Sequence, residues 1–330
     1  MKSIQYETFG EPEQVLGLAD IHPPQYKPDP GFSLVRVTAS TINPYDIATI
    51  QGNYGIKPPL PSVPGNEIAG VVEECAPGCN LVKGDRVSVL PGGISSGGAW
   101  QELVVCDNSR LVKTPGTISD SQAAACWVNY LTAIILIKDI FAIKGRGPLV
   151  MTAANSHLGR ATLELCNLMG ISIVAVVRSE KAAEEMISLG AKNSISTDKG
   201  GLTETLLELS RGIGFKYAMD AVGGATGSEV LSAMGRNGMF VLYGLMSGKS
   251  VSFDGRIIFT EATIRGFWLV SWLKRTAVEK RNEYIAEIRE LLHEDKLNPA
   301  IDKEFKAENF KEALLHNKKQ NKKGKVILRF

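Results

Sequence analysis

Apolar and polar positions alternate over Ser33–Thr41 (SLVRVTAST), with Leu34 and Val35 breaking the strict period of two. That alternation predicts a half-buried strand. Ile68–Val72 and Arg86–Leu90 are further short apolar runs, each closed by Pro-Gly or Gly-Gly turn chemistry. The first part of the chain therefore reads as a twisted, mostly antiparallel sheet. Between its strands lies Asn43–Asn66, a long irregular stretch with five prolines. Long ordered loops in a compact domain are usually functional.

The pattern changes near residue 120. Ser121–Ile143 is apolar and helix-like, and Pro148–Thr152 is a continuous apolar run suited to a buried parallel strand. Leu158, Ala161, Thr162, Leu165 and Leu168 follow at helical spacing. Ile171–Val177 is a second buried strand, Ser179–Leu189 a helix, and Phe215–Val222 and Gly238–Tyr243 continue the alternation. This is the signature of a doubly wound parallel sheet. Ile264–Val270 reads as another apolar strand, Ala277–Leu292 as an amphipathic helix, and Val326–Leu328 as a closing short strand.

Composition narrows the class. The chain has 330 residues, which suggests about two domains. Lys and Arg number 37 against 35 Asp and Glu, so there is no positive excess to neutralise nucleic-acid phosphates. No window holds 18 consecutive apolar residues, so no transmembrane helix is expected. The start, MKSIQYETFG, has neither a signal-peptide core nor transit-peptide character, and a cytoplasmic location is expected. Cys75, Cys79, Cys106, Cys126 and Cys166 lack paired metal spacing and read as reduced thiols.

The turn Thr152-Ala153-Ala154-Asn155-Ser156-His157-Leu158-Gly159-Arg160 joins the first parallel strand to a helix. A dinucleotide-binding turn needs small residues so that backbone approaches a pyrophosphate at a helix N-terminus. Ala153, Ser156 and Gly159 supply them, with Asn155 and Leu158 beside them; the same pattern also fits an ordinary strand-to-helix turn. The next strand ends Val177-Arg178-Ser179, where a fold for NAD usually carries an acidic residue. A guanidinium and a hydroxyl suit a 2′-phosphate, which favours NADPH; the alternative is that Arg178 caps a surface turn. Val222 with Gly223, and Tyr243 with Gly244, end two further strands, where such sheets bind ligands.

Read together, these segments resemble the medium-chain dehydrogenase/reductase superfamily. Asn43-Pro44-x-Asp46, Pro64-Gly65-x-Glu67, Gly84-Asp85-Arg86-Val87, Asn129-x-x-Thr132-Ala133 and Gly324-Lys325-Val326 occur in the matching order. The resemblance implies a GroES-like catalytic domain over 1–122, a Rossmann domain over 123–265, and a return to the catalytic domain over 266–330. It implies a homodimer paired through an edge of the Rossmann sheet, with Val251–Phe259 and Ile264–Val270 as that edge. The zinc enzymes of this superfamily carry a cysteine ligand where this chain has Asn43 and a histidine where it has Asn66. Their structural zinc lobe is replaced by Pro91–Gly98. Amides are poor zinc ligands, so a zinc-free member is expected.

Within the zinc-free branch, Ile50-Gln51-Gly52-Asn53-Tyr54 and Arg265–Trp272 are similar to mitochondrial-type 2-enoyl thioester reductases. That resemblance places the active-site tyrosine at Tyr54 and the active-site tryptophan at Trp268. Tyr54 packing on a loop and Trp268 packing in a core are the plain alternatives. The same resemblance implies that Asn43 and Thr132 hydrogen-bond around the nicotinamide and its ribose, and that Phe267 and Lys325 are further cofactor contacts. Three readings stand: reduction of a 2-enoyl thioester by NADPH, reduction of a quinone on the same scaffold, or an NADPH-binding protein with little turnover.

Overall fold

The computed structural model describes residues 1–143, 145, 147–319 and 322–330. The chain divides into two units, Met1–Asn129 with Ala286–Phe330, and Tyr130–Ile285.

In the first unit the strands are β1 (Lys2–Gln5), β2 (Gly17–Asp20), β3 (Phe32–Thr41), β4 (Ile68–Cys75), β5 (Arg86–Val89), β6 (Leu103–Asp107) and β7 (Leu111–Lys113). The helices over the same stretch are α1 (Pro12–Val15), α2 (Pro44–Ile50) and α3 (Asp120–Ile135), the last reaching into the second unit. β3 is the organising strand. It pairs antiparallel with β4 on one side and with β6 along its N-terminal half. The register shifts between Leu34 and Val35, where the sequence alternation also breaks. A bulge turns the side chains over without ending the strand. Val35, Val37, Val72, Val87 and Trp100 fill the core beneath it. Asn43–Asn66 is not irregular throughout, because Pro44 opens α2. Proline is tolerated at a first helical position, where no intrahelical amide bond is lost.

In the second unit come β8 (Leu149–Thr152), α4 (His157–Met169), β9 (Ile173–Val177), α5 (Glu180–Ser188), β10 (Asn193–Ser196), α6 (Leu202–Leu209), β11 (Phe215–Asp220), α7 (Gly224–Ser232), β12 (Met234–Leu242), β13 (Thr263–Gly266) and α8 (Leu269–Arg275). The sheet order is β10-β9-β8-β11-β12-β13, parallel throughout. The chain starts in the middle, winds to one edge, then returns to wind to the other. This is the doubly wound arrangement, with a crevice at the carboxyl ends of β8 and β11 where the winding reverses. α9 (Val278–His293) then leads back to the first unit, where β14 (Ile301–Lys306), α10 (Phe310–Asn317) and β15 (Lys325–Arg329) close the chain. β15 pairs with β3.

Three sequence expectations are corrected. Ile264–Val270 is not one strand: β13 stops at Gly266, and Leu269 and Val270 begin α8. Val251–Phe259 forms no edge strand. Its second half, Gly255–Phe259, is a 3-10 helix whose polar cap Asp254 accepts the Arg256 amide. Leu168 is exposed, and the buried face of α4 is completed by Leu163 instead. In addition, Asp120–Ile140 is one helix long and apolar enough to cross a membrane by length and composition. Most of it is buried inside the protein, as a core helix is.

Candidate active site

In the second unit the turn after β8 is tightly built. Ala153 adopts a left-handed φ of 48°, a conformation that costs a residue with a Cβ. It carries the chain over so that Ser156 caps α4, its Oγ accepting the Gly159 amide at 3.1 Å. The Ser156 hydroxyl keeps its own proton to donate. The Leu158 amide has no intrahelical acceptor in this first turn. Gly159 is obligatory, because a Cβ there would sit 2.2 Å from the Ala154 carbonyl oxygen. Asn155, Ser156, Leu158 and Gly159 are thus brought together at the N-terminus of α4, the first three half-buried and Gly159 buried.

Asp220 ties this turn to the end of β11. It is fully buried and accepts from Thr152 Oγ1 at 2.5 Å, Val222 N at 3.0 Å and Gly223 N at 2.9 Å. Thr152 Oγ1 in turn accepts the Ala221 amide at 3.0 Å. The carboxylate so locks the ends of two neighbouring strands. Gly223 has φ 69°, and a Cβ there would meet Leu245 and the Lys249 carbonyl. Gly244 lies against the Ala221 carbonyl, and the Tyr243 amide donates to the Asp220 carbonyl at 3.0 Å. The Tyr243 hydroxyl is buried with no hydrogen-bond partner, and burial pushes its phenol well up. Val222, Gly223, Tyr243 and Gly244 therefore form one assembly around Asp220, an organising role that the sequence reading missed. The signal was a single acid closing the run Tyr217-Ala218-Met219.

Arg178 is exposed at the end of β9, beside β8, and makes no ion pair among the described residues. Ser179 caps α5, accepting the Ala182 amide at 3.4 Å. Thr132 is buried on α3. Phe267 is buried and its amide donates to the Leu242 carbonyl at 2.9 Å. Trp268 caps α8 with 40% of its surface exposed, which excludes core packing for it. The core tryptophan of this segment is Trp272, whose Nε1 donates to Asp139 at 2.8 Å.

The first unit holds a buried polar cluster. Asn43 is 1% exposed and shares its two amide hydrogens among Thr41 Oγ1 (2.7 Å), Glu67 Oε2 (2.9 Å) and Tyr45 Oη (3.1 Å). Its amide oxygen accepts the Lys325 ammonium. Its backbone N–H donates to Asp46 Oδ2 at 2.9 Å. Glu67 Oε1 accepts the Val128 amide at 2.8 Å. Burial pushes Asp46 up to about 7 and raises Glu67, while burial lowers Lys325. The ring of Tyr45 lies 6.0 Å from that of Tyr54, which is half-buried on the loop after α2. Asn43, Lys325 and Tyr54 are thereby linked within one unit. Sequence reading gave all three a role in the site, whereas Glu67 and Asp46 stood there only as motif positions with no role assigned.

Residues 29–116 match the alcohol dehydrogenase GroES-like domain, and residues 158–294 match the zinc-binding dehydrogenase family. The mitochondrial enoyl-[acyl-carrier-protein] reductase of Xenopus tropicalis is 31% identical over 95% of this chain and 91% of its own. The chain belongs to the medium-chain dehydrogenase/reductase superfamily. Among solved structures of the superfamily, a Bacillus thuringiensis protein superposes with a TM-score of 0.89 at 30% identity, over all of this chain and 98% of that one. A Pseudomonas syringae quinone oxidoreductase superposes with a TM-score of 0.87 at 25% identity, over all of this chain and 99% of that one. Zinc, which part of the superfamily carries, does not fit here. Asn43 is saturated and holds a buried ammonium, which a dication would oppose, and Asn66 is an exposed amide. Among the described residues no three His, Cys, Asp or Glu side chains converge to hold a metal.

Proposed function

We propose that the protein reduces the C2–C3 double bond of a trans-2-enoyl thioester at the expense of NADPH. It is an NADPH-dependent oxidoreductase that needs no zinc. The observation that carries the reading is Tyr54, held beside the Tyr45–Asn43–Lys325 cluster, in a chain alike over nearly its whole length to an enoyl reductase. The residues of the second unit fit the cofactor. Gly159, Gly223 and Gly244 let neighbouring segments approach too closely for a Cβ, which makes the tight turns at the carboxyl ends of the strands, and Arg178 offers an exposed guanidinium to a 2′-phosphate.

Bound NADPH supplies a hydride, which goes to C3 of the thioester. The protein’s part is to orient the two molecules and to stabilise the charge that develops on the thioester oxygen. The Tyr54 phenol carries a hydroxyl hydrogen that it can donate. It donates to the thioester oxygen or delivers a proton to C2. The exposed indole of Trp268 offers a wall for the acyl chain. In the second unit, Thr132 and Phe267 are the residues offered to the nicotinamide end of the cofactor. Likeness to a quinone oxidoreductase supports a second reading, with a quinone as acceptor.

The proposal includes a cytoplasmic homodimer. The five cysteines are free thiols. β13 is an edge strand beside exposed Ile258, Phe259 and Ile264. An open apolar edge of this kind calls for a partner.

The test is oxidation of NADPH by the purified protein with a short trans-2-enoyl-CoA and, in parallel, a benzoquinone. Enoyl turnover is expected, with Tyr54→Phe lowering it by about 100-fold while the Kd for NADPH stays unchanged. Turnover on the quinone alone overturns the thioester reading.

A further inference from the structure

Two cysteines of the first unit stand apart from the candidate active-site residues. Cys75 is the last residue of β4, and Cys79 follows Ala76-Pro77-Gly78. Gly78 has φ 89°, and the Cys79 amide reaches back to the Ala76 carbonyl at 3.5 Å. Proline followed by a left-handed glycine is the chemistry of a type II turn, which brings Ala76 and Cys79 together and so returns Cys79 toward Cys75, the residue before Ala76. Both thiols donate to one acceptor, the Leu81 carbonyl oxygen, each at 3.3 Å. Two sulfurs that share one acceptor at that distance lie on the same side of the loop. The carbonyl belongs to a core residue, so the pair is anchored rather than free to drift.

Exposure separates this pair from the other three cysteines. Cys75 and Cys79 are half-buried, whereas Cys106, Cys126 and Cys166 are buried in the cores. A small oxidant in solution therefore meets two thiols, and it meets them together.

The geometry points to Cys75 and Cys79 as a reversible dithiol–disulfide site, oxidised by a low-molecular-weight disulfide and closed across the Ala76-Pro77-Gly78 turn. With oxidised glutathione as oxidant, one cysteine thiolate attacks a glutathione sulfur and expels the first glutathione thiolate. The second cysteine thiolate then attacks the mixed disulfide at the protein sulfur and expels the second. The protein loses two protons and two electrons, and the oxidant leaves as two glutathione thiols. Closure removes both donors from the Leu81 carbonyl, so oxidation is felt by the loop that carries it. Burial and the neighbouring Cys79 thiol hold Cys75 above the ordinary thiol range. Thiolate supply consequently limits the reaction, and its rate rises with pH.

The test uses the full-length native protein and oxidised glutathione, read by intact mass and peptide mapping. The wild type is expected to lose two hydrogens in mass, to retain no glutathione, and to yield a Cys75–Cys79 cross-linked peptide that dithiothreitol reverses. Cys75→Ser and Cys79→Ser, each unable to close, are expected to retain one glutathione on the remaining thiol. Retention of glutathione by the wild type, a disulfide between two copies, or no reaction at either cysteine overturns the proposal. The wild-type arm decides this whether or not the variants fold.

Discussion

At Asp46 a single carboxyl group carries a measurable consequence. Its folded-state pKa, about 7, lies above the ordinary carboxylate value because burial disfavours its charge. Between about pH 4 and pH 7 the folded protein therefore holds a proton that the unfolded chain has released. Stability contributed by the protonated form is lost as pH rises through that window, on the order of 4 kcal/mol once the group is fully ionised. Glu67, raised for the same reason, acts in the same direction. Urea unfolding from pH 5 to pH 8 is expected to show stability falling with pH, and Asp46→Asn is expected to flatten that slope. An unchanged slope in the variant would remove Asp46 as its source. Motif reading singled out Asn43 and Lys325 at this site. It gave no sign that burial would join Asp46 and Glu67 to them, since burial is a property of the packed fold.

The turn between β8 and α4 shows what one element demands. Periodicity places both elements within two residues of their observed bounds, because each carries its own pattern locally. The need for glycine at 159 is different: it comes from the Ala154 carbonyl, across the turn. Gly159→Ala is expected to cost about 1–3 kcal/mol in thermal unfolding, because backbone must move to admit a methyl group. It is also expected to weaken NADPH binding more than about tenfold, since a small shift in the turn misplaces its amides. A fluorescence titration of NADPH checks this, and wild-type affinity in the variant would show that the turn can open without loss. The segment after β13 failed to read correctly for a related reason. Arg265–Trp272 is apolar in both its strand and its helix, and short apolar runs do not distinguish the two.

For the molecule as a whole, β13 is the outer strand of the parallel sheet. Phe259 is 75% exposed and Ile258 69%, unusual values for side chains of that size beside an unpaired strand edge. A second copy pairing there would bury them symmetrically. Sedimentation at micromolar concentration is expected to give twice the chain mass. Phe259→Glu with Ile264→Lys is expected to give the single-chain mass, with the fold retained by circular dichroism. A wild type that sediments as one chain defeats the homodimer proposal.

Alternating and helical patterns, a turn of small residues, and five short motifs in order were enough to read a mostly antiparallel domain, a doubly wound parallel domain and a dinucleotide turn. These features are local, and each is written in a few consecutive residues. The contacts that give the candidate site its character are not. Lys325 meets Asn43 across 282 positions, and Thr152 meets Asp220 across 68. The exposure of Trp268 and the pairing of Cys75 with Cys79 on one carbonyl were likewise decided only by the fold. A sequence pattern carries propensity along the chain. Proximity, burial and the electrostatics that follow from them arise only when distant segments pack.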